Sequence, residues 1–301
     1  MFTTISVAAI SLKPIPWDKP ANVTKLESCL LRAVKKSPQL IVATEGVLEG
    51  YVVVDAIRNP AKARAMREIA EPIDGPCIRR FRKLAGRVKT CLVFGFAELV
   101  GNDVYNTAIF IDARGEIRGH YRKVQFAEGN HPSWFFNRMG KSIRAFDTPF
   151  GRAGLLICND RWNPDIARTL VLDGAQYLLI SSYGDRTKRQ NETVLGLARA
   201  NGVPIVEANV GMNLIISKGE VSAYKWGNDA ITFSTIDIPH PSSTANARRM
   251  ERSFMRWRRR EMSIRYRQNI ARFRAGELRG LRTSITEKGR LLPSDIVGRG
   301  K

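Results

Sequence analysis

The sequence predicts a layered α/β domain followed by a basic helical extension. The domain is predicted because short apolar runs of strand length end in polar residues and alternate with stretches of helical periodicity. The extension is predicted from charge, because residues 241–301 hold 17 Lys and Arg against 5 Asp and Glu. A chain of 301 residues that is 44% hydrophobic is long enough to bury a large core.

The first strand is predicted over residues 2–10 and the first helix over residues 20–36. The helix prediction rests on apolar residues that recur on one face, namely Val23, Leu26, Leu30 and Val34. A short buried strand from Leu40 to Ala43 follows, and it ends directly at Thr44-Glu45-Gly46. Glu45 is therefore expected at the end of a buried strand.

Beyond Glu45 the alternation continues to Ile238. Up to residue 142 the predicted segments are a helical stretch over 60–88 interrupted from Pro72 to Pro76, a strand over 91–98, a hairpin over 105–123 and an irregular aromatic segment over 125–142. They are followed by a strand, turn and strand over 143–158, a helix over 164–173 and a strand over 177–181. A helix over 189–201, a strand over 204–209 and hairpin strands to Ile238 complete the domain. Residues 239–244 are typical of a boundary. We therefore expect a domain over 1–240 and an extension over 241–301.

Composition limits the function classes. The four cysteines lie far apart without a C-x-x-C pair, and there are only three histidines, so we expect reduced thiols in the cytoplasm and neither a metal nor an organic cofactor. The N-terminus alternates apolar with polar residues, which indicates a first strand rather than a signal peptide. No apolar run approaches the roughly 18 residues of a membrane span.

The extension has two interpretations. Residues 246–275 carry apolar residues at near-helical spacing among many arginines, a pattern typical of a basic amphipathic helix. Such a helix either packs its apolar stripe on the protein body or a dimer mate, or contacts a polyanion such as nucleic acid or anionic lipid. The packing interpretation is the preferred one, and residues after about 276 are expected to be disordered.

Three polar residues that end predicted strands can cooperate chemically. Cys158 follows the run Gly154-Leu-Leu-Ile and precedes a turn, where helix N–H groups would lower the pKa of its thiol, although a buried structural cysteine is the alternative. Glu45 can act as a general base, and Lys123 can stabilise an oxyanion. A cysteine nucleophile needs both partners.

The segments around these residues resemble the nitrilase superfamily of carbon–nitrogen hydrolases. They are, in chain order, Ile41 to Tyr51, Gly119 to Lys123 and Gly154 to Asp165, each centred on one member of a Glu–Lys–Cys triad. Residues 3–238 share the resemblance, and the cysteine motif is most similar to that of the N-carbamoyl-D-amino-acid amidohydrolases.

The resemblance implies a four-layer α-β-β-α sandwich that commonly pairs into dimers or larger homo-oligomers. It also implies hydrolysis of a small amide or carbamoyl compound through a covalent cysteine intermediate. In that mechanism Glu45 is the base, Cys158 the nucleophile, and Lys123 holds the oxyanion together with the backbone N–H of Asn159.

Several positions depart from the family pattern or leave alternatives. A second glutamate common in the family is replaced by Ser133, and nearby Glu128 either substitutes for it or is an ordinary loop glutamate. Arg161 matches the first of two arginines that bind a substrate carboxylate, or it forms a local salt bridge. Trp162 replaces the second arginine. Trp134 either lines the substrate pocket or packs in the core.

Two hypotheses of function follow. The preferred one is an amidohydrolase that uses Glu45, Lys123 and Cys158. The alternative is a catalytically weak binding or scaffold protein that acts through its basic extension. The intact triad outweighs the replacement at Ser133, so the enzyme hypothesis is the stronger.

Overall fold

The computed structural model describes residues 2–131, 134–184, 187–240 and 246–274. The strands are β1 Thr3–Ile10, β2 Leu40–Ala43, β3 Cys91–Val100, β4 Asp103–Ile111, β5 Ile117–Arg122, β6 Phe146–Thr148, β7 Gly151–Ile157, β8 Tyr177–Ser182, β9 Ile205–Asn209, β10 Met212–Ser217, β11 Glu220–Trp226 and β12 Ile231–Ile238. The helices are α1 Lys19–Val34, α2 Val53–Arg58, α3 Ala63–Ile69, α4 Pro76–Val88, α5 Pro164–Leu172, α6 Lys188–Asn201 and α7 Ala247–Arg274.

The strands form two six-stranded sheets, in the orders β12-β1-β2-β3-β4-β5 and β11-β10-β9-β8-β7-β6. Strands β1, β2 and β3 are parallel, as are β7, β8 and β9, while the outer strands add antiparallel pairs. The carboxyl ends of β2, β5, β7 and β8 are therefore the places where loops with functional side chains can meet.

The side chains of β2 show how the layers are arranged. Val42 packs in a cluster with residues of the second sheet, whereas its neighbour Ile41 packs in a cluster with α1 and α4. Because successive side chains of a strand point to opposite faces, the first sheet lies between the second sheet and these two helices. On the far side, α5 and α6 pack on the second sheet through Ile166 and Val194. This α-β-β-α order confirms the predicted four-layer sandwich.

The segment between β2 and β3 differs most from the prediction. The helical stretch expected over 60–88 is divided into a short turn, α3 and α4, and the preceding helix α2 was not predicted. Helix α4 begins at Pro76, where the missing N–H of proline costs no intrahelical hydrogen bond. Helix α2 has only six residues, which is too short for a periodic apolar pattern to be recognised.

Helix α7 confirms the predicted basic helix of the extension. Its inner face packs on the protein body, where Phe254 and Met262 are buried, and it contacts α5. Burial of each of these side chains stabilises the packing by roughly 1.5–3 kcal/mol. The boundary at 239–244 and the tail after 276 fall mostly or wholly outside the described residues. In the described ranges, no helix combines the length and apolarity that crossing a membrane requires.

Candidate active site

The three residues predicted as a triad meet where strands of the two sheets end. Glu45 follows β2, Lys123 follows β5 and Cys158 follows β7, and at most 7% of any of them is exposed. The Lys123 ammonium donates a hydrogen bond to Glu45 Oε1 at 2.7 Å. The backbone of Tyr183, which follows β8, contacts both Glu45 and Cys158. Its N–H donates to Glu45 Oε2 at 2.9 Å, and its carbonyl oxygen lies 3.7 Å from Cys158 Sγ.

The Glu45 carboxylate is held by a further side chain that the sequence did not suggest. Asn106 of β4 donates from Nδ2 to Glu45 Oε1 at 2.7 Å, and its carbonyl accepts the backbone N–H of Lys123 at 2.8 Å. Asn106 thus fixes both ends of the Glu45–Lys123 pair. Its only signal in the sequence was a polar side chain within a mostly apolar strand. Gly95 of β3 leaves room for this arrangement, because an added Cβ would lie 2.9 Å from Glu45 Cα.

The backbone at Cys158 is in an unusual conformation that Asp160 stabilises. Cys158 has φ of +45°, in the left-handed region that non-glycine residues rarely adopt, and it begins the 3₁₀ turn Cys158–Trp162. Asp160 Oδ2 accepts the Ile157 N–H at 2.9 Å and the Tyr121 hydroxyl at 2.8 Å. The turn therefore presents the thiol at a sharp strand end, and Asp160 is a second site residue that the sequence analysis missed.

The electrostatics of the site correct one expectation. Burial, reinforced by the negative charge of Glu45, raises the pKa of the Cys158 thiol to about 11, so the predicted lowering of this pKa was wrong. Burial acts to lower the pKa of Lys123, but the neighbouring negative charges, that of Glu45 foremost, outweigh it and raise this pKa. At neutral pH the resting site holds a protonated thiol beside a charged lysine. Nucleophilic attack then needs a base that removes the thiol proton.

Glu128 lies in this site although it belongs to the loop after β5. It is 2% exposed, and Asn137 donates to its Oε1 at 2.6 Å. Its Oε2 is buried and has no hydrogen-bond partner among the described residues. Burial raises the pKa of Glu128, and the nearby charge of Lys123 opposes that shift. Ser133, the other position considered for the accessory glutamate, falls outside the described residues.

The geometry of Arg161 favours the local salt bridge. Its side chain is completely buried, and Nη1 donates to Glu207 Oε1 and to Ser182 Oγ, both at 2.7 Å. Nη2 also donates to the Gly184 carbonyl at 3.3 Å. A guanidinium with these bonds anchors the turn after the cysteine to β8 and β9. A substrate carboxylate would have to displace at least one of them.

Aromatic rings form one side of the site. Tyr51 and Tyr183 stack with centroids 4.4 Å apart, and burial, followed by the negative charges of Glu45 and Glu128, raises the pKa of the Tyr51 hydroxyl. Trp134, predicted to line the pocket or pack in the core, is half-buried and lies 5.6 Å from Phe136 between ring centroids. The side chain of Asn159 accepts a hydrogen bond from Arg265 of α7 at 3.4 Å.

Chemically, the site combines a carboxylate, an ammonium group and a thiol, all of them buried. Such a set can transfer a proton, attack an electrophilic carbon and stabilise an oxyanion. Within the ranges that the structure describes, no three His, Cys, Asp or Glu side chains are grouped so that they could hold a metal ion.

Comparison with known proteins identifies similar chains. A family model described as carbon–nitrogen hydrolase matches residues 6–224. The citrullinase of Francisella tularensis subsp. tularensis is 28% identical over 246 residues, covering 77% of this chain and 82% of that protein. The N-carbamoylputrescine amidase of Oryza sativa subsp. japonica is 31% identical over 248 residues, covering 78% of this chain and 80% of that protein.

Solved structures with the same fold are more distant in sequence. Saccharomyces cerevisiae Nit3, of the nitrilase superfamily, superposes with a TM-score of 0.67 at 22% identity, covering 84% of this chain and 93% of that one. A mutant amidase from Nesterenkonia sp. AN1, with acrylamide added to its active-site cysteine, gives a TM-score of 0.65 at 19% identity and covers 83% and 98% of the two chains. At these identities the likeness establishes the fold alone.

Replacing Arg161 tests its structural role. Arg161→Met leaves the Glu207 carboxylate buried without its cation, so we expect the free energy of unfolding to fall by about 3–5 kcal/mol in urea denaturation. Arg161→Met combined with Glu207→Leu should recover much of that loss. The control is Arg199→Ala, which breaks an exposed ion pair with Glu220 and should cost less than about 1 kcal/mol. Unchanged stability with lost binding of carboxylate-bearing substrates would instead support a substrate role.

The raised thiol pKa predicts how alkylation of Cys158 depends on pH. Well below a pKa of about 11 the thiolate fraction rises with pH, so the iodoacetamide labelling rate should increase about tenfold per pH unit between about pH 7 and pH 9. Intact-mass spectrometry measures this rate, and Cys158→Ala identifies the signal. A rate that is already maximal at pH 7 would contradict the buried neutral thiol.

Proposed function

The chain belongs to the carbon–nitrogen hydrolase family, and from that premise we propose that it hydrolyses the amide or N-carbamoyl bond of a small molecule through Cys158, Glu45 and Lys123. Enzymes of this kind cleave carbon–nitrogen bonds other than peptide bonds. The observation that carries the assignment of residues is the buried 2.7 Å contact between Lys123 and Glu45, linked through the Tyr183 peptide to Cys158. These groups supply every proton and charge that the reaction needs.

The first half of the reaction forms a covalent intermediate. Glu45 removes the thiol proton of Cys158, and the sulfur attacks the substrate carbonyl carbon. The C=O electron pair moves to oxygen, where the Lys123 ammonium and the backbone N–H of Asn159 stabilise the negative charge. Collapse of the tetrahedral intermediate breaks the carbon–nitrogen bond, and the leaving nitrogen takes the proton from Glu45. The products of this half are free amine or ammonia and a thioester, which is an S-thiocarbamate when the substrate is a carbamoyl compound.

The second half returns the enzyme to its resting state. Glu45 removes a proton from water, and the hydroxide attacks the thioester carbon. Lys123 again stabilises the oxyanion, the carbon–sulfur bond breaks, and the thiolate regains its proton from Glu45. The thiol pKa of about 11 favours this last step, because the resting cysteine is neutral. Glu128, with its unpartnered oxygen, is proposed as the accessory glutamate beside Lys123.

The relatives favour a carbamoyl compound as substrate. The names of the citrullinase and the N-carbamoylputrescine amidase specify compounds in which a carbamoyl group is attached to an amine nitrogen. We therefore propose an N-carbamoyl amine or amino acid. The similarity of the cysteine motif to N-carbamoyl-D-amino-acid amidohydrolases stays a prediction, since Arg161 has an internal partner in Glu207.

The cellular compartment and the oligomeric state of the enzyme are two further parts of the proposal. All four cysteines are free, and three of them are buried, which is compatible with a reducing compartment and supports the proposed cytoplasmic location. A homodimer or larger homo-oligomer is proposed from the family resemblance alone. Gel filtration with light scattering measures the assembly directly.

The central test is a substrate panel with triad variants. We expect wild-type enzyme to release ammonia or amine from N-carbamoyl compounds or simple amides, and Cys158→Ala and Glu45→Gln to lower kcat/KM by roughly 10³-fold or more, because the covalent step needs both groups. Cys91→Ala is the matched control, since Cys91 is also buried but pairs with Leu40 at the start of β2, whereas Glu45 follows the end of that strand. Near-normal activity in Cys158→Ala would exclude the proposed nucleophile.

A second candidate function is binding of a polyanion by the outer face of α7. Eight arginines of this helix are exposed, and none of them forms an ion pair within the described part of the chain: Arg248, Arg249, Arg252, Arg256, Arg259, Arg260, Arg267 and Arg272. A cavity of about 720 Å³ beside them is lined by Lys141, Arg252 and Arg256. Because Phe254 and Met262 of α7 are already buried on the body, binding of a polyanion such as nucleic acid is favoured over insertion into a lipid surface.

Salt dependence tests this second candidate. Affinity for a labelled single-stranded oligonucleotide should fall roughly tenfold or more between about 50 and about 200 mM salt, because phosphate contacts release counterions. Replacing Arg252, Arg256 and Arg259 with alanine should remove most of the binding. The control removes three exposed cations of α4, namely Arg79, Lys83 and Arg87. Equal effects of the two triple variants, or binding to anionic vesicles alone, would count against a nucleic-acid site on α7.

A further inference from the structure

Helix α7 lies outside the region that the family model matches, yet it contacts the segment that leads away from Lys123. The contacts begin close to the lysine: the Phe126 N–H donates to Met262 Sδ at 3.3 Å, and the Asn130 N–H donates to the Met262 carbonyl at 3.3 Å. Between them, Asn269 Nδ2 donates to the Ala127 carbonyl at 2.8 Å. Glu128 is therefore flanked on both sides by residues whose backbone is bonded to α7.

The helix and the loop approach each other as closely as their backbones allow. Gly129 has φ of +84°, and a Cβ added there would lie 2.3 Å from the Tyr266 nitrogen. The Tyr266 ring lies 4.8 Å from His131 and 4.9 Å from Trp134 between centroids. The residue after Glu128 thus needs to be glycine for the loop to pack on the helix.

The same helix reaches segments of the site at two other places, one in the loop and one in the turn after β7. Arg258 Nη1 donates to the Gly140 carbonyl at 2.6 Å, and the Gly140 N–H in turn donates to the Lys123 carbonyl at 2.8 Å. Arg265 Nη1 donates to Asn159 Oδ1 at 3.4 Å, directly beside the cysteine. Inner-face residues of α7 therefore bond to segments next to Lys123, Glu128 and Cys158.

These backbone groups have few alternatives. In its described residues, 124–131 and 134–142, the loop belongs to neither sheet apart from one isolated bridge, so its buried N–H and C=O groups need partners from outside the strands. Helix α7 supplies several of them, and a loop that loses them is free to move. A displacement of the Glu128 carboxylate by about 1 Å is enough to impair a reaction that depends on oriented groups.

We propose that α7 contributes to the active site by holding the loop that places Glu128 beside Lys123. Met262, Arg265 and Asn269 are then positioning residues, and this proposal rests on the proposed hydrolase function. The inner face of the helix serves catalysis, while the outer arginines have no part in it. The extension is thus required for turnover even though it lies beyond the matched family region.

Asn269 offers the sharpest test, because its side chain makes one defined bond to the loop and its neighbour Gln268 is exposed. We expect Asn269→Ala to lower kcat roughly tenfold with little change in KM, since the lost bond affects orientation more than binding. Gln268→Ala is the matched control and should leave both constants unchanged. Asn269→Gln keeps an amide donor and should restore part of the activity.

A double-mutant cycle separates positioning from a general loss of structure. If α7 acts through Glu128, Asn269→Ala should have a much smaller effect on kcat in a Glu128→Gln background than in the wild type. An equal effect in both backgrounds, or unchanged kcat in Asn269→Ala, overturns the proposal. A lower melting temperature that leaves kcat intact at permissive temperature also overturns it.

Hydrogen exchange tests the role of α7 independently of the proposed hydrolase function. Faster exchange of the amides of residues 126–131 in Asn269→Ala than in Gln268→Ala supports the proposal that α7 holds the loop, even if no tested amide or carbamoyl compound is hydrolysed. Unchanged exchange of these amides overturns the proposal that α7 holds the loop, whether or not the wild-type enzyme is active. Failure of the hydrolase proposal alone is recognised by wild-type enzyme that is inactive and forms no covalent adduct at Cys158.

Discussion

The buried ion pair between Glu45 and Lys123 is the interaction on which the rest of the site depends. Removing two charges from water costs several kcal/mol each, and their attraction repays this only when further hydrogen bonds satisfy both groups. Asn106 and the Tyr183 N–H supply those bonds to the carboxylate, from β4 and from the end of β8. The pair therefore requires both sheets to end at the same place, which ties the catalytic arrangement to the four-layer fold.

The sequence predicted the parts of the site that depend on local pattern. Glu45 and Cys158 each follow an apolar strand, whose end can be recognised from the change to polar residues. Lys123 follows the largely polar strand β5, so its prediction depended on the resemblance of its segment to the family. Asn106 and Asp160 were missed because their roles depend on partners more than 30 residues away, Glu45 and Tyr121 respectively. Contacts between side chains of distant strands leave no periodic pattern in the sequence. Likewise, α2 is too short for its apolar face to repeat.

The thiol pKa shows why a correct residue assignment can carry a wrong physical expectation. A cysteine at the start of a helical turn is expected to be acidic, but at Cys158 burial and the neighbouring Glu45 charge outweigh that effect. The consequence for the proposed mechanism is that the thiol of the resting site carries its proton at neutral pH. The protonated thiol is also less easily oxidised than a thiolate, so the site is protected until an electrophilic carbon arrives.

The basic extension could be recognised as a helix from its sequence, but not as a neighbour of the active site. Its arginines dominate the composition, whereas the contacts with the loop near Glu128 come from three less conspicuous residues, Met262, Tyr266 and Asn269. They lie on the inner face because a loop outside both sheets needs partners for its backbone groups, and a helix face with donors and acceptors at successive turns provides them. A segment that satisfies such groups beside Glu128 cannot be exchanged freely without moving the carboxylate. Substitutions on the two faces of α7 should therefore have separate effects, on turnover for the inner face and on polyanion affinity for the outer one.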